Sequence, residues 1–143
     1  MDPDPFAELA GTIVVEADGQ HAVARQEPAP ELENHAQIRH AGALFAAGYA
    51  ASRALIEAAL GPRASGLEAR IADSEASFEG VVRGVVTAFA EPAGNDWGAA
   101  LAGLDEGRDA ELRTAVRLSS ESGTTTTTIS VLWRVGRKLP PGT

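Results

Sequence analysis

From Ala41 to Leu60 the chain is rich in alanine, and between Arg39 and Arg53 no side chain carries a fixed charge. Apolar or small residues fall on every side of the helical wheel, so a helix here has no face suited to water and must be wrapped by other structure. The start falls near His40 to Ala43, and Gly61-Pro62 supplies the stop. At roughly 1.5 Å per residue the stretch is also long enough to span a bilayer. It is built from Ala and Gly, however, and interrupted by Arg53 and Glu57, which favours a soluble core helix and no membrane.

The segments around this helix have the period of strands. Residues 12–17 and 21–26 are short β-type runs separated by Asp18-Gly19, which predicts a hairpin, and the Pro-rich, acidic stretch 27–33 predicts an extended connection to Asn34. After the helix, Ala69 to Val82 and Gly84 to Glu91 read as consecutive strands with Arg83-Gly84 at or near their turn. Residues 92–107 are Gly-rich and predict a loop with a helical turn around Trp97 to Leu104. Ala110 to Ser119 and Thr124 to Val135 read as two further strands, joined at Ser122-Gly123; the threonine run 124–128 belongs to the second because Thr is a good strand former. A strand pair, one long apolar helix and about four antiparallel strands form an α+β fold in which a curved antiparallel sheet wraps one central helix.

A chain of 143 residues is expected to be one domain, 1–143, with its core at about 10–138 and a frayed tail at 139–143. With 12 basic against 20 acidic residues the formal charge is −8, which opposes a phosphate-backbone partner and makes nucleic acid an unsuitable ligand. There is no cysteine, so disulfides, a thiol nucleophile and thiolate metal sites are excluded. The opening Met1-Asp-Pro-Asp-Pro-Phe-Ala-Glu8 is acidic and Pro-broken where a secretory signal would be basic and then apolar, and the expected location is cytoplasmic.

The polar residues ahead of the helix, Asn34 to Gly42, form the candidate site. Read blandly, Asn34 and His40 satisfy backbone groups in a loop and cap the helix. His21 and His35 read as surface residues, and three histidines at 21, 35 and 40 form no metal motif, so no metal and no cofactor is expected. Arg53 and Glu57 read as a local i,i+4 ion pair. Trp97 and Trp133 read as core or interface packing, and Tyr49 as either core or pocket wall.

The spacing Asn34-x5-His40-x-Gly42 followed by Ala43-Leu-Phe-Ala-Ala47 resembles the loop and helix start of hotdog-fold thioesterases, particularly the small phenylacetate-pathway type. The resemblance covers about residues 10–138. It implies a homodimer or homotetramer whose sheets join, with sites at the interface for an acyl-CoA or acyl-carrier thioester. In that setting backbone N–H groups around Ala41 and Gly42 stabilise the oxyanion that develops on the thioester carbonyl, and Gly42 permits close approach. Asn34 would orient the water or thioester, and His40 would fix the loop or contact substrate.

Three positions depart from the family pattern. Ala41 stands in a His-Gly-Gly motif, Gln37 stands where a glycine is common, and Tyr49 stands where the family has a carboxylate acting as base or nucleophile. A phenol with an ordinary pKa of about 10 is scarcely ionised at neutral pH, so Tyr49 is no equivalent. Glu57 shares its approximate face but lies roughly 12 Å further along the axis. Asp73, Glu75 or Glu79 from a partner subunit remain as other acids. Two readings follow: hydrolysis of an acyl thioester, or a hotdog protein that binds one without turning it over.

Overall fold

The computed structural model describes residues 11–94 and 96–138. The expected frayed tail at 139–143 and the acidic opening lie outside them. The described elements are β1 (Thr12–Ala17), β2 (Ala22–Gln26), a 3-10 turn (Pro30–Leu32), α1 (Ala41–Leu60), a second 3-10 segment (Gly61–Gly66), β3 (Leu67–Phe78), β4 (Val86–Ala93), α2 (Trp97–Asp105), β5 (Ala110–Ser119) and β6 (Thr125–Arg137). The strands form one antiparallel sheet in the order β1-β2-β4-β5-β6-β3.

The hairpin at Asp18-Gly19 forms as the sequence predicts, closed by the Asp18 carboxylate. Its Oδ1 accepts the N–H groups of Gln20 at 2.7 Å and His21 at 2.9 Å. Those bonds favour the charged form and hold the Asp18 carboxyl below its ordinary value. His21 is less idle than a surface residue: its ring lies 3.1 Å from Glu16 and stacks on Phe89 at 5.9 Å between centroids.

Alternation along the strands gives the sheet two unlike faces. One face, carrying Ala22, Ala24, Ala88, Ala90, Leu112, Val116, Leu118, Ile129, Val131, Trp133 and Val135, is buried against α1. Beyond Gly42 no residue of α1 is exposed, as expected for a helix without a polar side. Small residues set how close the two layers come. At Gly48 an added Cβ would lie 2.6 Å from Ile129 Cδ1, so the helix rides against β6 only because that side chain is missing. Each fully buried Leu or Ile here contributes about 1.5–3 kcal/mol by burial.

The core also holds a polar relay. Trp133 Nε1 donates to Ser52 Oγ at 2.7 Å, and Ser52 and Thr114 share a hydrogen bond of 2.7 Å, all buried. The relay fixes the indole while its ring fills the core, which settles Trp133 as a packing residue. Trp97 is half-buried against the core and donates to the Arg113 carbonyl at 3.2 Å.

One connection differs from the sequence reading. β3 ends at Phe78 rather than Val82, lies at an edge of the sheet and pairs with β6, whereas β4 lies between β2 and β5. Arg83-Gly84 is therefore no hairpin turn, and residues 79–85 are a crossover. The cause is an anchor elsewhere: Arg39 donates its backbone N–H to Val82 O at 2.9 Å and its Nη2 to Gly84 O, and Val82 is buried. The segment is tied to the loop ahead of α1 instead of folding back on β3.

By length and composition Ala41–Gly66 would suffice to cross a membrane, with a mean hydropathy of 1.3, yet 61% of that apolar window is buried inside the fold.

Candidate functional site

The loop before α1 is shaped by Asn34. Its Oδ1 accepts the N–H of Ala36 at 2.9 Å and of Ile38 at 3.1 Å, while its backbone N–H donates to Ile38 O at 3.0 Å. Gln37, where a glycine is common in the family, takes the left-handed φ of 62° and donates its N–H to Asn34 O. Asn34 therefore has the loop-closing role that such residues commonly play, and its side chain is exposed. His40 is the residue ahead of the first helical turn, but its side chain makes no cap bond and is exposed.

The first intrahelical bond is Leu44 N–H to His40 O at 3.1 Å, so the N–H groups of Ala41, Gly42 and Ala43 lie ahead of it. Among the described residues no side chain caps this end, and no acid stands in the first turn. The positive end of the helix dipole is thus uncompensated at two exposed residues, Ala41 and Gly42. At Gly42 an added Cβ would meet nothing within 4 Å, so packing does not require glycine there.

Two residues that the sequence reading did not single out hold this helix end in place. Arg39 is buried; its Nη1 donates to Gln26 Oε1 at 2.5 Å, and Gln26 Nε2 donates onward to Ala43 O at 2.8 Å. Burial lowers the Arg39 pKa, and Glu33, with an oxygen 3.9 Å from Nε, and Glu27 oppose that shift. The usable signal was Gln26 itself, which falls on the inward phase of β2 with Ala22 and Ala24.

Further along α1, Phe45, Tyr49, Arg53 and Glu57 form a half-buried stripe. Tyr49 packs its ring on Trp133 at 5.5 Å between centroids and borders a depression of about 340 Å³. Arg53 and Glu57 pair at 3.5 Å, as the spacing suggests. The loop and the Tyr49 depression therefore lie at two points along one helix: Gly42 and Tyr49 are separated by roughly 10 Å of axis.

Strand register places the remaining acids. Asp73 stands opposite Leu132 and Glu75 opposite Ser130, in phase with the face away from α1. The helix side of β3 carries Ile71, Ser74, Ala76 and Phe78, opposite Trp133, Val131, Ile129 and Thr127. Glu79 lies past the strand end, its N–H on Thr126 O at 2.7 Å. Among the described residues no group of three His, Asp or Glu side chains is placed to hold a metal ion.

The architecture recurs in solved structures. A protein of Mycobacterium tuberculosis provisionally assigned as an esterase superposes with a TM-score of 0.76 at 17% identity, covering 96% of this chain and 100% of its own. A thioesterase from Haemophilus influenzae gives 0.77 at 14%, covering 96% and 87%. A variant of the phenylacetic acid degradation protein PaaI from Thermus thermophilus gives 0.68 at 21%, covering 92% and 98%. At these identities the likeness is one of fold, and the fold is the hotdog fold. No curated protein matches the sequence. Residues 4–135 match a sequence family, and the chain accordingly belongs to the family described as Domain of unknown function (DUF4442).

Proposed function

We propose that this protein is a thioesterase-like hotdog protein that binds an acyl thioester, of coenzyme A or an acyl carrier, with its carbonyl at the N-terminus of α1. The observation that carries this reading is the uncapped, exposed turn at Ala41-Gly42, in a fold shared with thioesterases. Backbone N–H groups at a helix start stabilise a developing oxyanion without reorganising. Asn34 and His40 border the approach, and Tyr49 lines the bound ligand's path along the helix. The site is completed by a second copy of the chain, in a homodimer or a homotetramer. β3 supports this: it is an edge strand, and its helix-side Ile71 and Phe78 are 37% and 45% exposed.

Binding without turnover is the second reading, and a specific observation favours it. The position expected to hold an acid is Tyr49, the Asp73 and Glu75 side chains lie on the far face of the sheet, and Glu57 is engaged by Arg53. If sheets join edge to edge, a partner's Asp73 and Glu75 are on the far face as well.

A panel of acyl-CoAs, assayed for binding by calorimetry and for turnover by thiol release, tests both readings. Binding of at least one chain length is expected, and no binding across the panel contradicts the proposal. The Tyr49→Asp and Tyr49→Glu variants then separate the readings. New or greatly raised thiol release identifies a pocket lacking its base, whereas loss of an existing activity assigns Tyr49 to the reaction.

A further inference from the structure

Two depressions meet where the end of α1, the 3-10 segment after it and the start of β3 come together. One, of about 340 Å³, is bordered by Tyr49, Arg53, Ser65, Glu68 and Lys138; the other, of about 330 Å³, by Arg63, Asp105, Arg137 and Lys138. Leu67 and Lys138 line both, so the two adjoin along these side chains and together border one basic trough-like surface. Its wall carries four cations, Arg53, Arg63, Arg137 and Lys138, against the carboxylates of Glu68 and Asp105, in a chain whose net charge is −8.

The charges are not equivalent. Arg63 is engaged end-on by Asp105, at 2.7 and 2.9 Å, and Arg53 lies 3.5 Å from Glu57. What remains is Arg137 and Lys138 against Glu68, a surplus of one positive charge carried by two cations exposed at the end of β6. Arg137 lies against Gly107, where an added Cβ would stand 3.3 Å from Nη2; a residue with a side chain there would crowd the guanidinium.

Position along the helix links this trough to the site already described. From Gly42 to Arg53 the axis advances roughly 16 Å, with Phe45 and Tyr49 on the intervening stripe. A phosphopantetheine thioester has the same layout: a carbonyl at one end, an uncharged arm, and a phosphate at the other.

We propose that the trough holds the phosphopantetheine phosphate of the thioester's carrier, the group common to coenzyme A and acyl carrier proteins, with Arg137 and Lys138 as its principal contacts. The inference rests on the thioester reading above and adds the carrier-recognition site to it. Charge-assisted contacts of this kind discriminate a phosphate from an uncharged terminus, and at an exposed site they weaken as salt rises.

The test compares S-acyl-pantetheine, which lacks the phosphate, with S-acyl-phosphopantetheine and acyl-CoA, on the full chain and on an Arg137→Gln, Lys138→Gln variant whose thermal unfolding matches the parent. The phosphate-bearing thioesters are expected to bind roughly tenfold more tightly than acyl-pantetheine, and the variant to lose most of that advantage. An acylated carrier protein, run in parallel, distinguishes the two sources by whether its affinity or that of acyl-CoA falls in the variant. Equal affinity for acyl-pantetheine and acyl-CoA in the parent, or an undiminished advantage in the variant, overturns the phosphate site and leaves the thioester reading intact. Failure of every thioester to bind the parent overturns the thioester reading itself.

Discussion

Arg39 Nη1 donates to Gln26 Oε1 at 2.5 Å, and both side chains are buried, so a fixed charge sits inside the fold on the Gln26 amide and the Gly84 carbonyl, with the Glu33 carboxylate 3.9 Å from Nε. The pair ties three segments together: the end of β2, the crossover before β4 and the first turn of α1 through Ala43 O. Gln26→Ala leaves the guanidinium short of an acceptor and is expected to lower unfolding free energy by about 2–4 kcal/mol in urea titration. The double variant Gln26→Leu, Arg39→Met removes both polar groups together and should cost less than the sum of the single changes. A Gln26→Ala cost below about 1 kcal/mol would contradict the assigned anchor.

Gly48 and Ile129 form a second coupled pair. A methyl at position 48 would stand 2.6 Å from Ile129 Cδ1 and 3.4 Å from Leu118 Cδ1. Helix propensity favours Gly48→Ala by about 1 kcal/mol, whereas overpacking opposes it by about 1–3 kcal/mol, so the net effect is expected to be destabilising. In an Ile129→Val background the obstructing Cδ1 is gone, and the same change should become neutral or stabilising. Thermal unfolding of the four proteins in the cycle decides this; additive effects would contradict the close approach.

Ser52 serves two partners at once. Ser52→Ala strands the Trp133 indole N–H and the Thr114 hydroxyl in the core, which predicts a loss of about 2–3 kcal/mol. Because Trp133 supports the Tyr49 ring, the near-ultraviolet circular dichroism should change as well. An unchanged spectrum with unchanged stability would show that the relay does not fix the indole.

Much of this fold is legible in the sequence because the central helix declares its surroundings. The stretch Ala41–Leu60 carries no stripe for solvent, which demands a wrapping sheet, and the strands on either side have the period to supply one. The pairing of β3 was less legible. Alternation marks a strand but does not name its neighbour, and β3 and β4 adjoin in sequence although β5 and β6 separate them in the sheet. Arg39 stayed hidden for a related reason: an arginine in a polar loop looks the same in sequence whether it faces water or, as here, lies on Gln26. At the candidate site, Asn34 was identifiable as a loop residue, and the structure supplies its partners, the N–H groups of Ala36 and Ile38. Register added what spacing alone left open, by placing Asp73 and Glu75 on the face away from α1.

The most direct measurement of the central claim uses Gly42, where an added Cβ meets no neighbour and the backbone is an ordinary helical start. Replacing it by alanine should leave stability unchanged or raise it by up to about 1 kcal/mol. Gly42→Val keeps the same open surroundings but places a larger group where the thioester carbonyl is proposed to approach. Calorimetric titration with an acyl-CoA bound by the parent is expected to show affinity reduced at least about tenfold in Gly42→Val, equivalent to about 1.4 kcal/mol, in a protein that remains folded. Parent-like affinity in that folded variant would contradict a thioester held at the N-terminus of α1.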